Sequence, residues 1–159
     1  MTIKNVKLSY NIKGLEQLNV NLKQQLAVKV GVLGAKTNRT DGKTTNASIG
    51  ALHEFGSFSN NLPARSWLKM PLEYKQEQII SKAAQVISND ILKQNGITMI
   101  FGKVGAICEA AIFEAFETGG FGQWQSLTVN TVRTKNGNDK ILIDTAQLKN
   151  SVSSEVVKI

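Results

Sequence analysis

The fold is decided by residues 98–118, which read TMIFGKVGAICEAAIFEAFET. Apolar side chains recur in this stretch at the three- and four-residue spacing of a helix with one buried face. They are Ile100, Phe101, Val104, Ile107, Cys108, Ala111, Ile112, Ala115 and Phe116. Gly119 and Gly120 follow directly, and they predict where this helix ends.

Two further helices are predicted on the N-terminal side of this stretch. The same apolar spacing covers 71–94, where proline suits an early helical position and Asn95-Gly96 interrupts the pattern. A shorter helix is predicted to begin at Asn46, a suitable N-cap residue, and to end at Gly56.

Alternating apolar and polar residues predict strands near both ends of the chain. The first covers 4–12 and the second covers 28–33. A helix is predicted between them from the spacing of Leu15, Leu18, Leu22 and Leu26. Near the C-terminus, Asp144 or Thr145 is predicted to cap a short helix, and a terminal strand over 151–159 follows.

Together these elements predict a single α+β domain over residues 1–159. We expect a small antiparallel or mixed sheet of three or four strands, with the two long helices packed on one face. Two polar segments, about 35–46 and 119–140, are predicted to be long mobile loops. Loops of such length in a compact domain are commonly functional or disordered.

Composition excludes several classes of protein. The chain has 159 residues, 42% of them hydrophobic and 19% charged, which suits one globular domain. It has no apolar run of about 18 residues and no secretory signal, so we expect no transmembrane helix and a location in the cytoplasm. One cysteine and one histidine exclude a disulfide scaffold and a zinc finger, and no metal or cofactor is expected.

The net charge of +7 leaves two interpretations open. A strongly basic domain is typical of nucleic-acid binding, which makes a small, non-specific DNA-binding protein the alternative hypothesis. Sixteen of the 19 basic residues are lysines, however, and they are dispersed along the chain. Because specific readers of bases and phosphates favour arginine, the pattern favours a solvated surface.

A hydrolytic triad can be assembled on paper from Ser57, His53 and Asp144. No Gly-x-Ser-x-Gly elbow surrounds a serine, and the Gly-x4-Gly-Lys spacing of a phosphate loop is also missing. A lone histidine on a short amphipathic helix is more often structural than catalytic. We therefore expect no enzyme.

Four segments combine small, aromatic and polar residues at the edges of predicted loops. They are Ala47–Gly56, Leu62–Leu68, Trp124–Lys135 and Leu142–Ser151. Phe55 and Trp67 are predicted to anchor the irregular segment between them to the helices. Arg65 is predicted to pair with Glu54 or Asp144.

These four segments, in this order, resemble the bacteriophage virion morphogenesis, or tail-completion, proteins of the phage neck. The residues that carry the resemblance are His53, Glu54, Phe55, Gly56, Pro63, Ala64, Arg65, Trp67, Trp124, Thr131, Lys135, Asp144, Thr145, Leu148 and Ser151. The sequence departs from the family pattern at Ser66, where proline is usual, at Trp67, where phenylalanine is usual, and at Ala146, where glycine is usual.

The resemblance implies a structural protein without catalytic residues. Such a protein forms a ring, commonly hexameric, that joins the head connector to the tail tube in the virion, as a tail terminator or a head–tail joining protein. Its partners are further copies of itself, the connector and the tail tube, with non-specific contact to DNA in the channel. Basic residues expected to face that channel are Lys36, Arg39 and Lys43 in the first loop and Arg133, Lys135 and Lys140 in the second.

Overall fold

The computed structural model describes residues 16, 19, 23–39, 44–93 and 95–159. Their order is β1 (Leu26–Val32), a 3₁₀ turn (Gly34–Thr37), α1 (Asn46–Phe55), α2 (Lys69–Tyr74), α3 (Gln76–Leu92), α4 (Ile97–Thr118), α5 (Val129–Thr134), α6 (Gln147–Ser151) and β2 (Val152–Lys158). The α+β class is as predicted. The predicted strand over 4–12 lies outside the described residues, as does Lys43, one of the basic residues expected to face a channel.

The two strands of the described part pair antiparallel, with Leu26 opposite Lys158 and Val32 opposite Val152. The sequence predicted three or four strands, and the described residues supply these two. Glu16 and Asn19 are helical, in agreement with the predicted helix before β1. Leu26 begins the strand, so assigning it to that helix was wrong.

Helix α4 packs across both strands, and α3 packs along α4. The sheet therefore packs against α4, and α3 packs against α4 instead of against the sheet. The predicted arrangement, with both long helices packed on one face of the sheet, was wrong in this respect. Gly105 marks the closest approach, because a Cβ atom there would lie 2.8 Å from Ser154 Cβ and 3.2 Å from Val28 Cγ1. Glycine is thus required where the helix crosses the sheet.

The core lies where the C-terminal half of α4 meets α6, β2 and the segment that enters α2. Its buried members are Trp67, Ile112, Ala115, Phe116, Trp124, Leu148 and Val152. The Phe116 ring stands between the two indoles, with centroid distances of 6.0 Å to Trp67 and 5.8 Å to Trp124. Aromatic pairs at these distances add about 0.5–1.5 kcal/mol each beyond the burial of their area.

The predicted helix over 71–94 is two helices, with Lys75 between α2 and α3. Lys75 Nζ donates to Glu114 Oε1 at 2.7 Å and lies 5.0 Å from the centroid of Phe121. Buried Pro71 is the third residue of α2, where its missing N–H leaves no helical bond unmade. The break thus coincides with contacts to α4 and to the segment that follows it.

Two predicted helix caps differ in the structure. Thr45, not Asn46, caps α1, because its Oγ1 accepts from Ser48 N at 3.0 Å. Helix α6 begins after Ala146, whose φ of 58° is left-handed, and neither Asp144 nor Thr145 caps it. Glycine adopts this conformation without the steric cost that alanine bears, which gives a physical reason for the glycine usual at this position of the family pattern.

The segment 119–140, predicted to be a mobile loop, contains ordered structure. It includes α5, which Thr128 caps through a hydrogen bond from Thr131 N at 3.2 Å, and it buries Trp124 in the core. In the first predicted loop, the side chain of Asn46 accepts from Arg39 Nη1 and donates to the carbonyl oxygens of Lys36 and Asn38. Residues 36–39 and the segment 119–140 are therefore bound to the body of the domain by these contacts.

Candidate functional site

The four segments singled out in the sequence converge on one cavity of about 530 Å³. Each segment contributes lining residues, for example His53, Arg65, Lys135 and Asp144. Arg39, Ser57, Phe58 and Asn61 complete the wall. We call it the four-segment cavity. Segments that are far apart in the chain thus share one concave surface, which is typical of a binding site.

Glu54 holds the wall of the cavity together as a helix cap. Its Oε1 accepts from Ser66 Oγ at 2.7 Å and from Lys69 N at 3.2 Å. Its Oε2 accepts from Trp67 N at 2.8 Å and from Leu68 N at 2.9 Å. The carboxylate therefore satisfies backbone donors at the N-terminus of α2. The predicted pairing of Arg65 with Glu54 is wrong because these donors occupy the carboxylate.

Ser66, which departs from the family pattern, has a clear role at the same cap. Its hydroxyl donates to Glu54 and accepts from Met70 N at 3.0 Å. This hydrogen bond satisfies an N–H group in the first turn of α2 that has no partner within the helix. The departure from proline is thus compatible with an ordered entry into α2.

Both tryptophans tie the segment before α2 to its neighbours. Trp67 Nε1 donates to Gly50 O at 2.8 Å, and Trp124 Nε1 donates to Ser66 O at 3.1 Å. A Cβ atom at Gly50 would lie 2.8 Å from the Trp67 indole, so a larger residue does not fit. The prediction that Trp67 is an anchor is confirmed.

Phe55 is not an anchor, because 80% of it is exposed. The inward face of α1 carries Asn46, Gly50 and His53 at helical spacing, and Phe55 falls on the other side. Directly after Gly56, Ser57 and Leu62 exchange two backbone hydrogen bonds of 2.9 Å, and Phe58 lies fully exposed at the tip of this loop. We call residues 57–62 the Phe58 hairpin.

Gly56 is required at the base of the Phe58 hairpin. Its φ is 73°, and a Cβ atom there would lie 2.7 Å from Ala64 N. Exposed Ala64 and cavity-lining Pro63 continue the chain from the hairpin to Arg65. The hairpin thus forms the rim of the cavity, and sequence analysis missed Phe58 because no local pattern places it there.

Arg65 is a buried cation on the cavity wall, with 6% of its surface exposed. Its backbone N donates to His53 O at 2.7 Å, and its Nε donates to Gln125 O at 3.0 Å. Within the described residues no carboxylate lies within 4.0 Å of the guanidinium, so the predicted pairing with Asp144 is also wrong. Burial lowers the pKa of Arg65.

Lys135 contributes a second cation to the cavity. Its Nζ donates to Lys140 O at 2.6 Å. Burial lowers the pKa of Lys135, and the charge of Arg65 lowers it further, whereas Asp144 and Asp139 act in the opposite direction. Asp144 is the only carboxylate among the described lining residues, whereas Arg65 and Lys135 are both cations.

His53 is a neutral, partly buried member of the wall. Its Nδ1 is buried and has no hydrogen-bond partner among the described residues. Burial lowers the pKa of His53 below 6.5, and the charge of Arg65 adds to this effect. Ser57 Oγ contacts Ser59 and Asn60 instead, so the hypothetical Ser57–His53–Asp144 triad is not assembled within the described structure.

The remaining motif residues support the cavity from behind or line it. Leu148 is buried, and Ser151 Oγ donates to Leu148 O at 2.6 Å within α6. Thr131 and Thr145 line the cavity, although their hydroxyls bond to neighbours in sequence. The role of Gln125 was not predicted. Its backbone carbonyl oxygen accepts from Arg65, and any residue type can supply a backbone acceptor.

The residues expected to face a DNA channel do not form one cluster. Arg39 and Lys135, one from each predicted loop, meet on the wall of the cavity. Lys36 and Arg133 are exposed elsewhere, and Lys140 Nζ lies 3.5 Å from Glu117 Oε2. The structure therefore brings together one residue from each group.

Among the described residues, no group of three or more histidine, cysteine or acidic side chains is placed to hold a metal ion. None of the described helices is long and apolar enough to cross a membrane. Comparisons of the chain with protein-family models, with curated proteins and with solved structures found no match.

Proposed function

We propose that this chain is a structural subunit of the neck of a tailed bacteriophage. In this proposal it is a tail-completion or head–tail joining protein that forms a ring between the head connector and the tail tube. The ring is proposed to be sixfold by analogy with the family that the chain resembles. The observation that supports it is the convergence of the four resembling segments on one cavity. Segments that merely stabilised the fold would not need to share a concave surface.

The surface around the cavity is suited to contact with another protein. The Phe58 hairpin carries a fully exposed aromatic side chain at the rim, and Phe55 is 80% exposed beside it in sequence. Aromatic residues are enriched in protein interfaces. A ring subunit uses two different patches, one for each neighbour, and we propose the cavity with its hairpin as one of them.

The finer architecture is also part of the proposal. We propose that residues 4–12 supply a third strand, because their alternating pattern is that of a strand with one buried face. The protein is proposed to assemble in the host cytoplasm and then to remain in the virion. Any contact of Lys36 or Arg133 with channel DNA is non-specific and secondary to protein contacts.

A deletion and complementation experiment tests the proposal. In a phage or prophage that encodes this chain, deleting its gene is expected to leave filled heads and complete tails unjoined in electron micrographs. Purified protein added to the lysate is expected to restore joined particles. Undiminished joining after deletion contradicts the proposal.

Matched variants connect the phenotype to the proposed surface. Phe58→Ser at the rim is expected to fold normally and to fail in complementation. Ile80→Ser, which changes an exposed apolar residue of α3 outside the cavity lining, is expected to complement. A mobility-shift assay with duplex DNA at low salt addresses the alternative function, since a non-specific DNA-binding protein loses affinity steeply as salt is added.

A further inference from the structure

We propose that the four-segment cavity is a carboxylate-binding socket in which Arg65 binds an aspartate or glutamate side chain of a neighbouring protein. The identity of that neighbour, another neck component, rests on the proposed function. The chemistry of the socket rests on the cavity itself.

The guanidinium of Arg65 has a fixed orientation and donors that can bind an anion. Its backbone N–H and its Nε–H are used, in bonds of 2.7 Å to His53 O and 3.0 Å to Gln125 O. These two bonds fix the direction of the guanidinium. The described residues provide no hydrogen-bond acceptor for either Nη group, which leaves four N–H donors for a ligand in the cavity.

A buried cation without a counter-charge is costly, and this cost favours an external partner. Arg65 is only 6% exposed and has no ion pair with a described residue. Removing a charge from water costs several kcal/mol unless hydrogen bonds or an opposite charge offset it. The planar fork of arginine matches a carboxylate through two parallel hydrogen bonds. A carboxylate entering the cavity would therefore recover much of this cost.

The surrounding charges favour the same ligand. Lys135 lines the same cavity as Arg65, and the charge of Arg65 contributes to the lowered pKa of Lys135. Burial and the charge of Arg65 lower the pKa of His53, which disfavours its cationic form. Asp144 is exposed, and it is the only acidic residue among the described lining residues. The socket thus has more cations than it has carboxylates of its own.

Apolar residues also line the cavity, between polar ones, and they favour a ligand that is part of a protein. Ile49, Leu62, Pro63, Leu127 and Leu142 line the cavity beside the cations. Its volume of about 530 Å³ exceeds that needed for a single carboxylate, since cavities of about 300–1,000 Å³ hold drug-sized molecules. We therefore expect an acidic residue flanked by an apolar residue, inserted from an extended segment.

Duplex DNA is a poorer ligand for the same cations. Phosphate contacts are made by side chains that reach out to the broad surface of the duplex. Arg65 is recessed in a concave wall of mixed apolar and polar residues, with the Phe58 hairpin at its rim. An acidic side chain can enter such a recess, whereas a duplex cannot.

The test uses the full chain labelled with ¹⁵N and a pair of blocked tripeptides, Leu-Asp-Leu and Leu-Asn-Leu. The Arg65 Nε–H and Trp124 indole N–H resonances report on binding, because both groups lie at or beside the cavity wall. The aspartate peptide is expected to bind at least about tenfold more tightly than the asparagine peptide, since hydrogen bonds to a charged partner are the stronger ones. Equal binding of the two peptides overturns the proposal, as does a dissociation constant for the aspartate peptide weaker than about 10 mM.

Variants assign the effect to Arg65. Arg65→Gln is expected to abolish the preference for aspartate, and Arg65→Lys, which keeps the charge but loses the fork, to retain part of it. Arg133→Gln removes an exposed charge outside the cavity lining and is expected to change nothing. If circular dichroism shows that Arg65→Gln is unfolded, Lys135→Gln replaces it, with a several-fold weaker affinity expected. Undiminished binding by the folded variant overturns the proposal.

Two further outcomes separate this proposal from the proposed function. Inorganic phosphate and a DNA duplex are tested as competitors of the aspartate peptide. The carboxylate assignment is contradicted if either competitor binds the cavity at a lower concentration than the peptide does. Selective peptide binding together with normal head–tail joining in the deletion mutant supports the socket and contradicts the neck function. No peptide binding together with failed joining contradicts the socket alone.

Discussion

Replacing Glu54 by glutamine tests how the wall of the four-segment cavity is built. Each carboxylate oxygen accepts two hydrogen bonds, one pair from Ser66 Oγ and Lys69 N and the other from Trp67 N and Leu68 N. Glutamine keeps one oxygen but places an NH₂ group where the other oxygen stood. That NH₂ group faces two donors, so two hydrogen bonds are lost and the charge at the N-terminus of α2 disappears.

The expected loss of stability follows from those two bonds. Hydrogen bonds to a charged partner contribute about 1.5–3 kcal/mol each, and partial relaxation of the segment reduces the sum. We therefore expect Glu54→Gln to lower the free energy of unfolding by about 3 kcal/mol. For a domain of this size that corresponds to a fall of roughly 10 °C in melting temperature.

Urea unfolding followed by tryptophan fluorescence measures this change, because Trp67 and Trp124 are both buried in the core. The control is Glu73→Gln in the same helix α2. Its carboxylate lies 3.7 Å from Lys69 Nζ in an exposed pair, and such pairs contribute about 0.3–0.5 kcal/mol. If the two variants lose similar stability, or if Glu54→Gln loses less than about 1 kcal/mol, the capping role of Glu54 is refuted.

Three further predictions concern stability and can be checked by the same unfolding assay. Ala146→Gly is expected to stabilise the protein by about 0.5–1 kcal/mol, because residue 146 has a left-handed backbone conformation. The control Ala106→Gly, on the exposed face of α4, is expected to destabilise the protein by about 1 kcal/mol. A change in the free energy of unfolding with the same sign in both variants contradicts the left-handed conformation at Ala146. Gly105→Ala is expected to destabilise the protein by about 1–2 kcal/mol, because overpacking against Ser154 outweighs the gain in helix propensity. The control Gly102→Ala, which has open space around it, is expected to stabilise the protein by up to about 1 kcal/mol. A stabilising Gly105→Ala would show that α4 does not approach the sheet this closely. The pKa of His53 is lowered in the folded state, so the unfolded state takes up a proton first as the pH drops. The free energy of unfolding should therefore fall as the pH drops from 6.5 through the pKa of the folded state. His53→Gln should remove that part of the pH dependence, and an unchanged dependence of stability on pH in this variant would place the imidazole in solvent.

Local patterns predicted the elements whose burial follows a single periodicity. The apolar stripe of α4 located that helix to within a residue at its start and at its C-terminal end, where Gly119 adopts the left-handed cap. The terminal strand and the end of α1 at Gly56 were predicted for similar reasons. In each case the sequence signal and the structural cause lie within a few residues of one another.

The features that the sequence did not predict depend on contacts between distant residues. Glu54 reaches donors 12 to 15 positions ahead, and Arg65 finds an acceptor on Gln125, 60 positions away. The break between α2 and α3 at Lys75 contains neither glycine nor proline, so no helix-breaking residue predicts it. It coincides with contacts of Lys75 to Glu114 and Phe121. Periodicity describes which face of an element is apolar, but it carries no information about such partners.

The candidate site was predicted in membership but not in geometry. The four segments were recognised as separate constellations, and the structure places them around one cavity. Pairings assumed from charge alone, between Arg65 and Glu54 or Asp144, were wrong because backbone donors occupy Glu54 and no described carboxylate reaches Arg65. The unpaired cation that results is the feature from which the socket is inferred.

The decisive measurement is a reconstruction of the neck of a phage particle that encodes this chain. We expect a ring of this subunit between the head connector and the tail tube. We also expect an acidic side chain of a neighbouring protein to lie against Arg65 in the four-segment cavity of each copy. A particle that lacks the chain would contradict the proposed function, and a ring in which every such cavity faces open solvent would contradict the socket.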